Sequence, residues 1–312
     1  MNIFIFTNRL INWTRRKAIK LISPFIHLYP IPSPKLIMTL LVKNEADILE
    51  YNILFHKKMG VDTFIVTDND STDNTPNILR KYKEKGWISE IINEKANDHN
   101  QKKWVDRMIR YAKKKYNADW VINGDADEFW FAPSGNLKKE ICNLKYNIIS
   151  VPLINVCPDE NKNIKDWNTV VVNPLSRNEL NQENLSPYSI YNKQINKEMH
   201  RLNGYIKIHD GNHYVEMFPE KRTNKTNIII YHYPIRGYAH FLSKVKKGGE
   251  AMLHNKGTHT ASHWRALYQI YQQGNLENEY KRIVGNKNLT ETLLERKVIS
   301  NNNPLISVFK TI

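Results

Sequence analysis

The chain has 312 residues, 41% of them hydrophobic and 25% charged, and this composition predicts a folded globular protein with a full core. Its 12 glycines and 13 prolines exclude a collagen-like or low-complexity chain, and its two cysteines, Cys142 and Cys157, exclude a disulfide framework or a cysteine-based zinc site. The formal net charge of +15 predicts attraction to anions, whether nucleic acid, a phosphorylated donor, anionic lipid or acidic polysaccharide.

Residues 1–30 mix apolar and basic side chains. The apolar run is interrupted before it reaches the roughly 18 residues of a membrane-spanning helix, and it lacks the continuous apolar stretch of a signal peptide. Two interpretations stay open: a basic amphipathic helix on an anionic membrane, or a helix that packs on the domain. Pro30, Pro32 and Pro34 predict a stiff connector, so residues 1–34 form a basic N-terminal segment and connector.

From residue 35 onward, predicted strands alternate with predicted helices. Leu36–Val42 is a continuous apolar run, typical of a strand that is buried on both faces. Further strands are predicted at 63–67, 87–92 and 120–122, with helices at 48–59, between a cap at Asn74 or Thr75 and Gly86, and at 101–115. This alternation predicts an α/β fold with a mostly parallel central sheet flanked by helices.

Polar clusters follow three of these strands where each strand ends. They are Lys43-Asn44-Glu45, the segment 68–73, and the segment 123–128. Ligands of open parallel sheets bind beyond the carboxyl ends of the strands. The coincidence of three clusters therefore predicts a binding site at this edge.

The pattern is less regular beyond residue 154. Residues 158–200 are rich in Asn, Lys and Glu and predict a loop-rich insertion. Strands are predicted again at 205–208, 214–218 and 228–233, helices at 238–247 and 260–273, and a polar helical tail after Gly274.

Asp125 and Asp127 are the first candidates for a metal site. They are alternate residues at a strand end, so both carboxylates can approach one cation. Oxygen ligands suit Mn²⁺ or Mg²⁺, which commonly bind one or two carboxylates together with substrate phosphates. The alternative is an acidic loop that solvates the strand end, but carboxylates between apolar runs are costly unless cations or donors meet them.

The second cluster supplies candidates for nucleotide binding. Asp68 and Asp70 can accept hydrogen bonds from a base or a ribose, and Glu45 can do the same from the first loop. Turn formation and helix capping are the alternative roles for the cluster, and a favourable position in the first turn of a helix is the alternative for Glu45.

Histidines and basic residues gather later in the chain. His232 is the first candidate for a further metal ligand and His213 the second, because neutral imidazole binds divalent ions. Basic residues that can bind phosphates, or alternatively form a solvated helix face, are Arg236, Lys244, Lys246 and Lys247.

Three segments together resemble the family 2 type of glycosyltransferase, and most of all its bacterial subgroup with an Asp-x-Asp-Glu-Phe metal motif. They are 41–50 (Leu-Val-Lys-Asn-Glu-Ala-Asp-Ile-Leu-Glu), 66–75 (Val-Thr-Asp-Asn-Asp-Ser-Thr-Asp-Asn-Thr) and 119–129 (Asp-Trp-Val-Ile-Asn-Gly-Asp-Ala-Asp-Glu-Phe). Residues 231–236, with Phe241 and Lys244, resemble a later family segment. Asp-Asn-Asp-Ser at 68–71 departs from the commoner Asp-Asp-Gly-Ser.

The resemblance implies a GT-A fold, a nucleoside-diphosphate sugar donor with UDP-sugar as first candidate, Mn²⁺ or Mg²⁺, and inversion at the anomeric carbon. It implies that Asp68 contacts the base, while Asp125 and Asp127 bind the metal and diphosphate. The general base of such a reaction is sought downstream, where Asp210 and Glu216 are the candidates, with Asp159 and Glu160 behind them. The predicted division is 35–155 for donor binding, 156–250 for the acceptor side and 251–312 for a helical C-terminal extension.

Other functions stay open at this point. The charge and the interleaved lysines and aromatic residues would suit a nucleic-acid-binding protein, but acidic clusters at three strand ends argue against it. A metal-dependent nucleotidyltransferase or phosphohydrolase would also need the carboxylates. For a glycosyltransferase, the expected acceptor is a cell-surface glycan or glycolipid, such as lipopolysaccharide, capsule or teichoic acid, or a protein. The expected place is the cytoplasm or the inner face of the membrane, with peripheral contact through residues 1–30.

Overall fold

A computed structural model describes residues 13–95, 101–254 and 262–312, with the backbone alone for Asp210, 251–254 and Ser262. The first twelve residues of the predicted N-terminal segment lie outside the described residues. Residues 13–22 form the helix α1, which a short 3₁₀ turn follows at Ser23–Phe25.

Fourteen strands are present in the described residues. In chain order they are β1 Leu36–Val42, β2 Thr63–Asp68, β3 Ile88–Asn93, β4 Trp120–Asp125, β5 Glu128–Phe131, β6 Ile148–Val151, β7 Leu153–Asn155, β8 Val170–Val171, β9 Lys197–Arg201, β10 Tyr205–Ile208, β11 Val215–Met217, β12 Arg222–Thr223, β13 Ile229–His232 and β14 Ile299–Ser300.

Helices alternate with the first strands and then dominate the end of the chain. After α1 they are α2 Leu49–Lys58, α3 Thr75–Glu84, α4 Gln101–Lys114, α5 Leu137–Ile141, α6 Arg177–Gln182, α7 Tyr238–His254, α8 Ser262–Gln272, α9 Leu276–Val284, α10 Lys287–Glu295 and α11 Leu305–Phe309. Short 3₁₀ turns also occur at Ile164–Asp166 and Asp210–Asn212.

The central sheet has seven strands in the order β12-β6-β9-β4-β1-β2-β3. Strands β4, β1, β2 and β3 are mutually parallel, so their carboxyl ends meet at one edge. The side chains of β1 and β2 are almost wholly buried, which agrees with their continuous apolar sequences. The predicted α/β architecture with a mainly parallel sheet is therefore confirmed.

A smaller sheet with the order β5-β13-β7 adjoins this edge. Its strand β13 pairs antiparallel with β5, and this register sets His232 beside Glu128. The same strand pairs in parallel with β7, and there His232 lies beside Asn155. This sheet therefore carries a late segment of the chain to the end of β4.

The segment 158–200, predicted to be loop-rich, contains the helix α6 and the strand β9. All five residues of β9 are buried, although its sequence Lys-Glu-Met-His-Arg suggests a surface. Lys197 meets two carboxylates, Glu198 bonds to Arg222, and the backbone carbonyls of Tyr29 and Leu144 accept from Arg201. Because its charged groups are paired, the strand can occupy the middle of the sheet.

The C-terminal helices form a second core with part of the 157–191 region. Two adjacent glycines in α7 allow α8 to approach closely. A Cβ atom on Gly248 would lie 3.0 Å from the Trp264 ring, and one on Gly249 would lie 2.2 Å from the Tyr268 ring. No helix in the described residues is both long and apolar enough to cross a bilayer.

Candidate active site

The turn between β4 and β5 carries the acidic motif, and a buried amide holds it in place. The Asn52 side chain, on α2, donates to the carbonyls of Ala126 and Glu128, each at 2.9 Å. His56, one turn later, accepts from the Trp130 amide at 3.0 Å through Nε2. Burial lowers the pKa of His56 to about 3, so the ring stays neutral and keeps that acceptor.

Asp127 is buried among positive groups. Its Oδ2 atom lies 2.9 Å from the Lys244 ammonium and 3.5 Å from the Arg236 guanidinium. Burial alone would raise the pKa of Asp127, but the surrounding cations, Lys244 foremost, hold that pKa well below its usual range. Asp127 is therefore an anion at neutral pH.

His232 faces the other oxygen of this carboxylate. Its Nδ1 atom lies 3.0 Å from the Asn155 side-chain oxygen, which assigns the ring proton to Nδ1. Its Nε2 lone pair then points toward the Oδ1 atom of Asp127, 3.7 Å away. Burial lowers the pKa of His232 to about 4, so the ring is neutral and both facing atoms are acceptors.

Asp125 belongs to a second cluster, which is built around the buried Lys197 of β9. The Lys197 ammonium lies 2.6 Å from Asp125 and 2.5 Å from Glu128. Burial raises the pKa of Glu128 above its usual value, although Lys197 opposes the shift. Burial would lower the pKa of Lys197, yet its two carboxylate partners raise it. Lys197 thus stays charged and fixes the position of the Asp125 carboxylate.

Arg236, a candidate phosphate ligand, is buried and paired with carboxylates. Its side chain is only 1% exposed and forms ion pairs with Glu45 at 2.5 Å and Asp47 at 2.6 Å. Burial raises the pKa of Glu45 to about 7, against the effect of Arg236. The guanidinium therefore ties the first loop to Asp127.

The first and second loops are joined by hydrogen bonds. The Asn44 side-chain oxygen accepts from the Thr72 amide at 2.7 Å, and the Glu45 amide donates to the Thr75 hydroxyl at 2.9 Å. Asp68 accepts from the Ser71 amide at 3.1 Å, so it also stabilises its own turn. The Asp68 contact is the turn-forming role that the sequence left open as an alternative.

A cavity of about 700 Å³ opens above the acidic motif. Its floor contains Glu45, Asp125, Asp127, His232 and Lys244. Further lining comes from the 187–195 loop and the helix α8, with side chains that include Tyr188, Ile195, His263, Trp264 and Leu267. The lining thus combines charged residues of the acidic motif with aromatic and apolar residues.

The residues present fit a divalent cation in the chemistry of their donors. Asp127 and His232 offer two facing lone pairs, and Asp125 lines the same floor. Across the described residues, no group of three or more His, Cys, Asp or Glu side chains has the geometry of a complete metal site. A cation would therefore need further oxygens, which a diphosphate supplies.

The remaining predicted residues lie elsewhere. Asp68 and Asp70 follow β2 and do not line the cavity, and Asp70 is exposed. Only the backbone of Asp210 is described, so its predicted role as a base lies outside the described side chains. Glu216 lies on β11, where Arg15 is 2.9 Å away and the other partners are Arg16, Lys207 and His209.

Three other candidates also lie outside the cavity. Asp159 pairs with Lys162 at 2.8 Å, Glu160 accepts from the Tyr280 hydroxyl at 2.5 Å, and His213 faces the Asn196 carbonyl at 3.0 Å. The structure therefore brings together Glu45, Asp125, Asp127, His232, Arg236 and Lys244. The predicted residues with described side chains that lie outside the cavity include Asp68, Asp70, Asp159, Glu160, His213 and Glu216.

Sequence reasoning missed Lys197, Asn155 and the aromatic part of the lining. Lys197 lies in a segment without apolar periodicity, and Asn155 ends a short strand with no polar cluster. A buried strand rich in charge is visible only through its partners. One signal was available in the sequence. Asn155 and His232 each end an apolar run, and such runs are typical of paired strands.

Comparison with known proteins gives one family. The family model described as "Glycosyl transferase family 2" matches residues 40–238. None of the curated protein sequences matches the chain.

Several solved structures match the chain at low identity. The mannosyltransferase PcManGT from Pyrobaculum calidifontis, in complex with GDP-Man and Mn²⁺, is 14% identical, with 98% of this chain and 87% of that chain covered and a TM-score of 0.39. S. aureus TarS 1-349 is 12% identical, with 80% and 71% covered and a TM-score of 0.38. Glucosyl-3-phosphoglycerate synthase from Mycobacterium tuberculosis, in complex with Mg²⁺ and UDP, is 14% identical, with 39% and 44% covered and a TM-score of 0.27.

Proposed function

Because the chain belongs to glycosyl transferase family 2 and is a GT-A glycosyltransferase, we propose that it transfers a sugar from a nucleoside-diphosphate donor to a glycan or glycolipid acceptor. The proposed donor is a UDP-sugar. The observation that carries the proposal is the cavity in which Asp125 and Asp127 share a floor with His232 and Lys244.

The charged residues of the cavity lining suit a metal-bound diphosphate. Asp127 and His232 would hold Mn²⁺ or Mg²⁺, with Asp125 beside them, and Asn155 keeps the His232 ring in the required tautomer. When bound, the cation offsets the negative charge that develops on the leaving nucleoside diphosphate. The Lys244 ammonium can contribute to the same task, because it lines the cavity and reaches Asp127.

Arg236, Glu45 and Asp47 act in this proposal by holding the first loop against the metal motif. Because Arg236 is buried and already paired with carboxylates, it positions Asp127 rather than contacting phosphate. Asp68 and Asp70 remain the proposed contacts of the base and ribose, at the end of the neighbouring strand β2.

The aromatic and apolar part of the lining suits the acceptor. Tyr188, Ile195 and Trp264 line the cavity, and the C–H surface of a sugar can pack on such side chains. This lining therefore supports a glycan acceptor.

We further propose inversion, which requires a direct displacement and a base for the acceptor hydroxyl. Asp210 is the proposed base. Glu216 is less suited, because four cationic or ring-nitrogen partners surround its carboxylate. Product analysis by NMR checks the anomeric configuration, and an inactive Asp210→Asn variant that still binds donor would support the role of Asp210.

Calorimetric titration of UDP, GDP and other nucleoside diphosphates, with and without Mn²⁺, tests the donor site. We expect metal-dependent binding that is lost in the double variant Asp125→Ala/Asp127→Ala. The matched control is Asp166→Ala/Glu277→Ala, which removes two exposed carboxylates outside the cavity and should bind as the unmodified chain does.

The outcomes separate this proposal from its rivals. Free nucleoside diphosphate together with a glycosylated acceptor supports it, whereas pyrophosphate or free phosphate as product would indicate nucleotidyl transfer or hydrolysis. Folded protein that binds no nucleoside diphosphate, yet stays on nucleic acid in about 0.2 M salt, would overturn it.

A further inference from the structure

The outer face of α1 and the segment after it carries an unusual density of exposed apolar side chains. Five of the eleven large apolar side chains exposed in the described part of the chain lie between residues 13 and 29. Phe25 is 80% exposed and Leu21 is 71% exposed. The five residues, which we name the N-terminal docking surface, are Trp13, Leu21, Ile22, Phe25 and Tyr29.

The inner face of α1 explains why these side chains point outward. Arg15 and Arg16 both reach the buried carboxylate of Glu216, and Ile19 is buried one turn later. Trp13, Lys17 and Leu21 recur every four residues, so they share the opposite face of the helix. The ion pairs with Glu216 therefore set the rotation of the helix.

The chain after α1 is fastened to the domain mainly through polar contacts. The Ser23 hydroxyl accepts from the Glu220 amide at 2.7 Å, Lys221 donates to the Pro24 carbonyl, and Arg201 donates to the Tyr29 carbonyl at 2.8 Å. These bonds leave the side chains of Phe25 and Tyr29 free of the core. These bonds thus attach the docking surface to the domain with its side chains exposed.

Two further exposed side chains continue this surface. Phe218 precedes Pro219, whose carbonyl accepts from Asn147, and Tyr146 precedes Asn147 in the chain. Both therefore lie next to the Ser23–Glu220 contact. None of these residues lines the catalytic cavity.

The chain segment that forms the docking surface carries charge of one sign. The first 44 residues contain no Asp or Glu, and Lys17 and Lys20 are exposed on α1 beside the apolar side chains. The Lys17 ammonium also lies 3.8 Å from the centre of the Trp13 ring. Apolar side chains bordered by cations are complementary to a lipid surface with an apolar acyl-chain region and anionic headgroups.

We propose that this face docks on an anionic phospholipid surface. The apolar side chains enter the boundary between headgroups and acyl chains, while Lys17 and Lys20 meet the lipid phosphates. Docking is peripheral, in keeping with the short and interrupted apolar pattern. Since the cavity is lined by other residues, donor binding continues while the protein is docked. This proposal does not depend on the identity of the donor or the acceptor.

Vesicle flotation of the full-length chain tests the proposal. We expect the chain to float with vesicles of phosphatidylglycerol and phosphatidylcholine, and to stay behind with phosphatidylcholine alone. The variant Leu21→Gln/Phe25→Gln should lower the partition coefficient by about tenfold or more. The matched control Val172→Gln/Ile312→Gln removes two exposed apolar side chains elsewhere and should float like the unmodified chain.

A second pair of variants tests the charge. Lys17→Gln/Lys20→Gln should weaken flotation and its dependence on salt, whereas Lys113→Gln/Lys114→Gln, on the exposed face of α4, should change it little. Equal flotation of Leu21→Gln/Phe25→Gln and the unmodified chain would overturn the proposal. Light scattering provides a second test. A dimer that Leu21→Gln/Phe25→Gln converts to a monomer would also overturn the proposal, because the surface would then bind a second copy of the chain.

Discussion

The carboxylates of Glu216 and Asp127 are both buried among cations, yet they differ in whether an oxygen atom remains free to bind a ligand. Glu216 receives Arg15, Arg16, Lys207 and His209, and these groups use both of its oxygens. Asp127 receives Lys244 and Arg236 on one oxygen, while the other faces the His232 lone pair. The Glu216 carboxylate has partners on both oxygens, so it serves as a structural contact. The free oxygen of Asp127 faces another acceptor, so a cation or a hydrogen-bond donor is needed between Asp127 and His232.

Access separates the two centres as well. Asp127 lies on the floor of a cavity of about 700 Å³, and Glu216 lies beneath α1 and is 2% exposed in its side chain. The same amino-acid chemistry thus serves donor binding at one place and helix attachment at the other. Burial and charge pairing alone do not identify a catalytic carboxylate.

Removal of the Asp127 charge should produce the largest effect. Asp127→Asn leaves Lys244 and Arg236 without their shared anion and removes a proposed metal ligand, so we expect transferase activity to fall by about 10³-fold or more. Steady-state kinetics measures the loss, and circular dichroism checks that the variant is folded. Activity within about tenfold of the unmodified chain would show that the two carboxylates do not differ in function.

Neutralising Glu216 should affect stability instead of donor binding. Glu216→Gln weakens the charge-assisted bonds to Arg15 and Arg16, so we expect the free energy of unfolding to fall by about 2 kcal/mol. Urea unfolding measures the change, and limited proteolysis should show faster cleavage near α1. The affinity for the nucleoside diphosphate, measured by calorimetry, should stay unchanged. A loss of affinity would indicate that Glu216 contributes to donor binding.

Removal of the hydrogen bond between Asn155 and His232 should have a smaller effect on activity than removal of the Asp127 charge. Asn155→Ala leaves the His232 ring proton without its acceptor, so we expect the Mn²⁺ concentration for half-maximal activity to rise about tenfold. Metal titration of activity measures the shift. Asn168→Ala, which removes a half-buried amide that donates to the Asn301 carbonyl and accepts from the Asn303 amide, is the matched control and should show no shift.

The titration of Glu216 should change the free energy of unfolding least near neutral pH. Although burial acts to raise it, bonds from His209, Arg16 and Lys207 lower the pKa of Glu216 to about 2, below its ordinary value of 4.5. The folded pKa is depressed, so the stabilisation is complete above about pH 4.5 and is lost as pH falls toward 2. Urea unfolding at several pH values measures this loss, which Glu216→Gln should reduce. An unchanged profile in that variant would argue against the ion pairs.

Local patterns in the sequence were sufficient for the first half of the sheet. The apolar runs at β1 and β2 and the caps around α3 depend on neighbouring residues only, and the structure places these elements where the patterns predict them. The strand β9 was missed because its residues are charged, and its burial depends on Glu128, Asp125 and Arg222 being in the right places. Periodicity carries no information about such partners.

The candidate site divides in the same way. Asp125 and Asp127 were identifiable because a strand end, an acidic motif and an apolar run adjoin in the sequence. Arg236 was identifiable as a charged neighbour but not in its role, since its pairing with Glu45 and Asp47 excludes it from the solvent. The orientation of His232 toward Asp127 required the pairing of β13 with both β5 and β7.

By itself, the sequence determined the strand and helix alternation, the acidic motif and the basic apolar character of the N-terminal segment, because each depends on residues close together in the chain. Tertiary structure alone decided that Lys197 binds Asp125 across 72 positions and that Lys244 binds Asp127 across 117. It also decided that Glu216 anchors α1. Which cation meets which carboxylate depends on strand order and register, and local propensity does not specify these over such separations.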